Sequence, residues 1–236
     1  MNDDYNLSYS IKDDERERRS GNMRKIQNVT MKQDENFPSS SRFKAILQNS
    51  NNTIRLQNLI ESKLREKCLT NLLEVIQCTG ISCKNLLTGM MDESFSTNQA
   101  EADTAIFTIY SQLRESGWEG PVVIDAEDTD VYIQACYVSN HINGDLYMKH
   151  KNCYFDCNSL VSPEIAEIII QLHVLTGCDH NSGFYGHGKK SILERVIKSS
   201  KARRLLMGCG NCLPASPDVI NDLKTFVYIR IKFRKS

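Results

Sequence analysis

The sequence predicts an α/β protein in which helices flank at least part of a parallel sheet. Three observations carry that expectation. The stretch "PVVIDA", Pro121–Ala126, is a short β-branched run of the kind that parallel sheets bury on both faces. An amphipathic helical pattern precedes it, and a helix start, "EDTDVYIQACYVS", follows it. Helix, strand and helix in this order build an α/β layer rather than an all-helical or all-β one.

The chain has 236 residues, enough for one cored domain or one such domain plus a tail. Its 29 Lys and Arg equal its 29 Asp and Glu, which excludes a histone-like, polybasic mode of nucleic-acid binding but not a local basic patch. The opening "MNDDYNLSYS" is polar and acidic, so no signal peptide is expected. No run approaches the roughly 18 apolar residues of a membrane span. The expected setting is therefore intracellular, nuclear or cytoplasmic, with no membrane partner.

Nine cysteines, an odd number without a secretion signal, predict reduced thiols rather than a disulfide framework. "CYFDC" at Cys153–Cys157 and "CGNC" at Cys209–Cys212 fit a zinc site loosely. The halves lie far apart and "CYFDC" reads as a strand, so buried thiols are the preferred reading and zinc is not expected.

Residues 1–42 form a charged, partly disordered segment by composition, ending in the linker "QDENFPSSSR". A folded domain is expected over 43–236. It opens on a helical pattern, Phe43, Ile46 and Leu47, then Ile54, Leu56, Leu59, Ile60 and Leu64. "LLEVIQCT", Leu72–Thr79, has strand length and ends at Gly80. "TNQAEADTAIFTIYSQLRESG" predicts a helix, with Thr97 as N-cap, Gly117 past its end and an apolar stripe of Ala105, Ile106, Ile109, Tyr110 and Leu113. "DLYMKHKNCYFDC" predicts a β-hairpin. "SPEIAEIIIQLHVLTG" predicts one helix from the Ser162 cap and Pro163 to Gly177. "GHGKKSILERVIKSSKARRLL" begins at a glycine turn and continues as one or two helices.

Chemistry is expected at three acidic places: Glu101 and Asp103 at a helix start, Asp128 and Asp130 after a strand, and Asp179 in the loop "TGCD". Functional groups of α/β sheets collect at the carboxyl ends of strands. Carboxylates converging there repel one another unless a divalent cation lies between them, and hard oxygen ligands suit Mg²⁺ or Mn²⁺. Taken singly, each cluster also reads as helix capping or surface charge. His173 reads as packed on an apolar helix face.

The ordered set "EADTAIF", "VVIDAEDTDVYI" and "LTGCDHNSGFYGHGKKSIL" resembles the motifs of the flap-endonuclease and PIN-like nuclease superfamily, and within it a divergent metazoan branch. The likeness runs from about Ser10 to Leu206. It implies a PIN-like three-layer α/β fold with a mainly parallel central sheet and a helix–turn–helix near 177–206. It also implies that Glu101, Asp103, Asp128, Asp130 and Asp179 hold one or two Mg²⁺ or Mn²⁺ ions, with Asp128 and Asp130 central to hydrolysis of phosphodiester bonds. Gly186, Gly188, Lys189 and Lys190 would then grip the phosphate backbone of DNA or RNA. The chain departs from the family pattern at its beginning, where the aspartate-bearing first strand is missing and only Asp3 or Asp4 could stand for a second upstream aspartate. The sheet is therefore expected to be incomplete at the N-terminus. A truncated, catalytically inactive PIN-like domain that binds nucleic acid or protein stands as the alternative.

Overall fold

The computed structural model describes residues 28–31, 39–47, 49–72, 74–79, 82–98, 101–178, 183 and 188–231. The chain divides into two compact units, Met1–Gln112 and Leu113–Ser236. Among the described residues both helices and strands are present, so the protein is mixed α/β.

In the first unit, helix α1 covers Ser40–Leu47 and helix α2 covers Ser50–Asn71. The side chain of Asn49 caps α2 by accepting from the Asn51 amide at 3.0 Å. The helix stops at Leu72, whose φ of 52° is left-handed. The expected apolar stripe on α2 is only half buried: Ile54, Leu56, Leu59 and Leu64 are partly covered. Asn52, Thr53 and Gln57 are buried there, whereas Ile60 is 46% exposed. Hydrogen bonding explains the exchange: Asn52 donates to the Ile46 carbonyl at 3.1 Å and accepts from the Val29 amide at 2.8 Å.

Strands β1 (Ile76–Thr79) and β2 (Ser82–Asn85) follow as an antiparallel hairpin. The register sets Cys78 opposite Cys83, and the two form a disulfide. This corrects the expectation of thiols only: a hairpin partner five residues away is invisible to a count of cysteines. Lys84 of β2 pairs with Glu61 of α2 at 2.6 Å. Helix α3 runs Ala102–Glu115 and buries Ala105, Phe107 and Tyr110. Thr97 is buried several residues before that helix rather than capping it. Gly117 takes φ 89° just past its end, as expected of a C-terminal glycine.

The second unit holds the sheet. Strand β3 (Val122–Asp125) leads into helix α4 (Thr129–His141) and then strand β4 (Leu146–His150), which lies parallel to β3 with Val122 opposite Leu146. Strand β5 (Cys153–Asp156) returns antiparallel on β4, with His150 opposite Cys153. The three-stranded sheet, in the order β3-β4-β5, is therefore mixed rather than mainly parallel. The tight turn through Lys151, at φ 55°, allows only the antiparallel hairpin on that side of β4.

Short helices α5 (Cys157–Leu160) and α6 (Pro163–Ala166) precede α7 (Ile169–Thr176). The single helix expected over this stretch is broken at Glu167–Ile168. The run is apolar on nearly every face, and the break lets Ile165, Ile168, Ile169 and Leu172 all become buried. Helices α8 (Lys189–Ile197) and α9 (Ser200–Leu206) are joined by two residues, and α10 covers Pro217–Ile231. Ile165, Ile168, Leu172, Ile192, Val196, Ala202, Leu206 and Phe226 form one core that ties α6 to α10. Among the described residues no helix is long and apolar enough to cross a membrane.

Candidate functional site

The carboxyl end of β3 and the start of α4 gather acidic groups because the strand ends in Asp125 and the next helix needs a cap. Asp128 supplies that cap, its Oδ1 accepting from the Asp130 amide at 2.9 Å. Asp125 pairs with Lys149 on the neighbouring strand. The hydrogen bond that Lys149 donates to Asp125, with the carboxylate's charge, holds the ammonium above its usual pKa. Tyr132, one turn into α4, donates to the Lys149 carbonyl at 3.2 Å. Its partial burial and the nearby Asp125 and Glu127 carboxylates push the phenol above its ordinary value.

Asp130 points the other way, toward α7. Its Oδ1 lies 2.9 Å from His173 Nε2, and the His173 side chain is only 9% exposed. The other ring nitrogen, Nδ1, lies 3.5 Å from Lys189 Nζ at the first position of α8. The packing of α4 on α7 and of α7 on α8 brings these three side chains together. His173 thus joins two motifs that the sequence reading kept apart. It was expected to be packed on an apolar face, and it is packed, but with both nitrogens partnered. The available sign in the sequence was a lone imidazole in "IIIQLHVLTG", because a buried ring must find hydrogen-bond partners.

The remaining expected residues fall as follows. Glu101 immediately precedes α3 and its carbonyl accepts from the Ala105 amide at 2.9 Å; Asp103 lies in that helix's first turn, where its Oδ1 accepts from the Thr104 amide at 3.2 Å. Both belong to the first unit, whereas Asp128 and Asp130 belong to the second. Asp179 and Gly186 lie outside the described residues. Gly188 precedes α8 at φ −74°, and among the described residues a Cβ there would meet nothing within 4 Å. Lys189 and Lys190 open α8, whose first turn holds no acidic residue.

Fit to a divalent cation is tested by the oxygens. Asp128 commits one to a helix amide and Asp130 one to His173. Among the described residues no group of three or more His, Cys, Asp or Glu side chains is gathered to hold a metal. The cysteines of the zinc reading are scattered in environment: Cys153 and Cys212 are exposed, Cys157 and Cys209 buried. Burial, with Cys136 and Asp156 nearby, pushes the Cys157 thiol up to about 12.

No family model, no curated protein and no solved structure matches this chain.

Proposed function

We propose that this mixed α/β chain is a nuclease-like protein of the PIN-like kind that engages the phosphate backbone of structured DNA or RNA. One observation carries the reading: the Asp130–His173–Lys189 chain of contacts sets the acidic strand end beside the lysine-led start of α8. A cation at a helix start opposes the helix dipole, which favours negative charge there. Lys189 and Lys190 occupy that start, and a bound phosphate would reverse the penalty while meeting both ammonium groups. In this reading α8, the two-residue turn and α9 act as a helix–turn–helix on the backbone, and Asp130 lies where a phosphodiester would be presented.

The resemblance assigns Mg²⁺ or Mn²⁺ to Glu101, Asp103, Asp128, Asp130 and Asp179. The work assigned to the described residues is binding and orienting phosphate. A second reading, a catalytically inactive binding module, is favoured by the cap bond of Asp128 and by the pairing of Asp130 with His173.

The deciding experiment measures binding and cleavage of matched DNA and RNA duplexes and flaps, across a salt series, with Mn²⁺ and with chelator. Salt-dependent binding plus Mn²⁺-dependent cutting, lost in Asp130→Asn, supports the nuclease reading. Binding without cutting supports the module. No binding by the folded chain refutes the nuclease and the nucleic-acid-binding module and leaves only a protein-binding one.

A further inference from the structure

We infer that His173 is a positioning residue that holds Asp130 and Lys189 as one unit; the inference rests on the nucleic-acid reading for what that unit binds. Donor and acceptor chemistry decides the form of the ring. The Asp130 carboxylate only accepts, so Nε2 at 2.9 Å carries a proton and donates it. The Lys189 ammonium only donates, so Nδ1 at 3.5 Å offers its lone pair. His173 therefore bridges an anion to a cation, with Nε2 toward Asp130 and Nδ1 toward Lys189.

The bridge has two effects. It fixes one oxygen of Asp130 and leaves the other directed by that bond, as outer hydrogen bonds orient ligating or reacting carboxylates elsewhere. It also tethers the flexible four-carbon stem of Lys189 at the beginning of α8, reducing the rotamer freedom that phosphate binding would otherwise remove. The imidazole lies on α7, whose Ile169 and Leu172 are buried, so the ring is held by a packed helix and not by a loop. Neither function needs the ring to touch a substrate.

The test has two arms on the full chain. Two-bond ¹H–¹⁵N spectra read the His173 tautomer directly: a bare Nδ1 with a protonated Nε2 is expected, and a protonated Nδ1 overturns the bridge. The second arm measures affinity for a short blunt DNA duplex. His173→Leu fills the space without donor or acceptor and should weaken binding about two- to tenfold. Lys189→Met should weaken it too, and the double variant should lose no more than the worse single one. His173→Gln, whose amide carries one donor and one acceptor, should recover most of the affinity that His173→Leu loses. Additive losses, or equal behaviour of Gln and Leu, overturn the positioning role. A wild-type chain that shows the expected tautomer yet binds no duplex overturns the nucleic-acid reading and the phosphate role of Lys189, and leaves the bridge itself in place.

Discussion

Replacing Asp128 by alanine removes the side chain that caps α4, and replacing it by asparagine does not. The cap is the 2.9 Å bond that Asp128 Oδ1 accepts from the Asp130 amide. Losing such a bond costs about 1 kcal/mol. Losing the negative charge at a solvent-exposed helix start costs roughly 0.5 kcal/mol more. Asp128→Ala should therefore cost about 1.5 kcal/mol, or roughly 3–6 °C in Tm for a chain of this size. Asp128→Asn keeps the acceptor and loses only the charge, about 0.5 kcal/mol or one to two degrees, and that remainder should shrink at high salt. Thermal unfolding followed by circular dichroism at low and high salt reads all three proteins. An asparagine variant that melts as low as the alanine variant, or an alanine variant that melts with wild type, refutes the capping argument. The same pair serves the functional question. Loss of Mn²⁺ binding in Asp128→Asn with nearly unchanged melting would be an effect on a site and not on the fold.

Leu206→Ala, at a fully buried position at the end of α9, should cost about 2–5 kcal/mol in chemical denaturation; a cost under about 1 kcal/mol would mean the core is not closed there. Gly144 takes φ 134°, and a Cβ would come 2.5 Å from the Arg114 guanidinium, which donates to the Trp118, Gly120 and Asp145 carbonyls. Gly144→Ala should accordingly lower stability by about 1–3 kcal/mol, measured by urea unfolding. The thiols should separate by reactivity: at pH 8 exposed Cys153 and Cys212 should be alkylated quickly, while Cys157, its pKa pushed up to about 12, should react only on unfolding. Because the fold keeps a Cys157 proton that the unfolded chain releases from about pH 9, stability should fall as pH rises above 9 toward 12, read as a declining urea midpoint.

Local chemistry made much of the second unit legible. "VVID" is a strand, as its β-branched residues predict, but it lies at the sheet edge with Val123 49% exposed and not buried on both faces, and "DLYMKHKNCYFDC" is a hairpin because two extended runs flank a short turn. Asp128 was readable as a cap because a short acid before a helical run satisfies orphan amides. The mixed sheet was less legible, because strand direction depends on which edge of β4 the chain returns to. The apolar stripe of α2 is only half buried, since a bond donated by the Val29 amide and one that Asn52 donates to the Ile46 carbonyl made burial of Asn52 possible.

What the sequence determined by itself is several of the elements and the chemistry available to them: a charge-balanced chain, acids at the strand end and at helix starts, and lysines at the head of α8. Those follow from interactions within a few residues. The tertiary structure alone decided how the acids are used. His173 meets Asp130 across 43 positions of sequence and Lys189 across 16, and Cys78 finds Cys83 only through strand register. A polar side chain shows its type in sequence, but its partner is set by how helices pack.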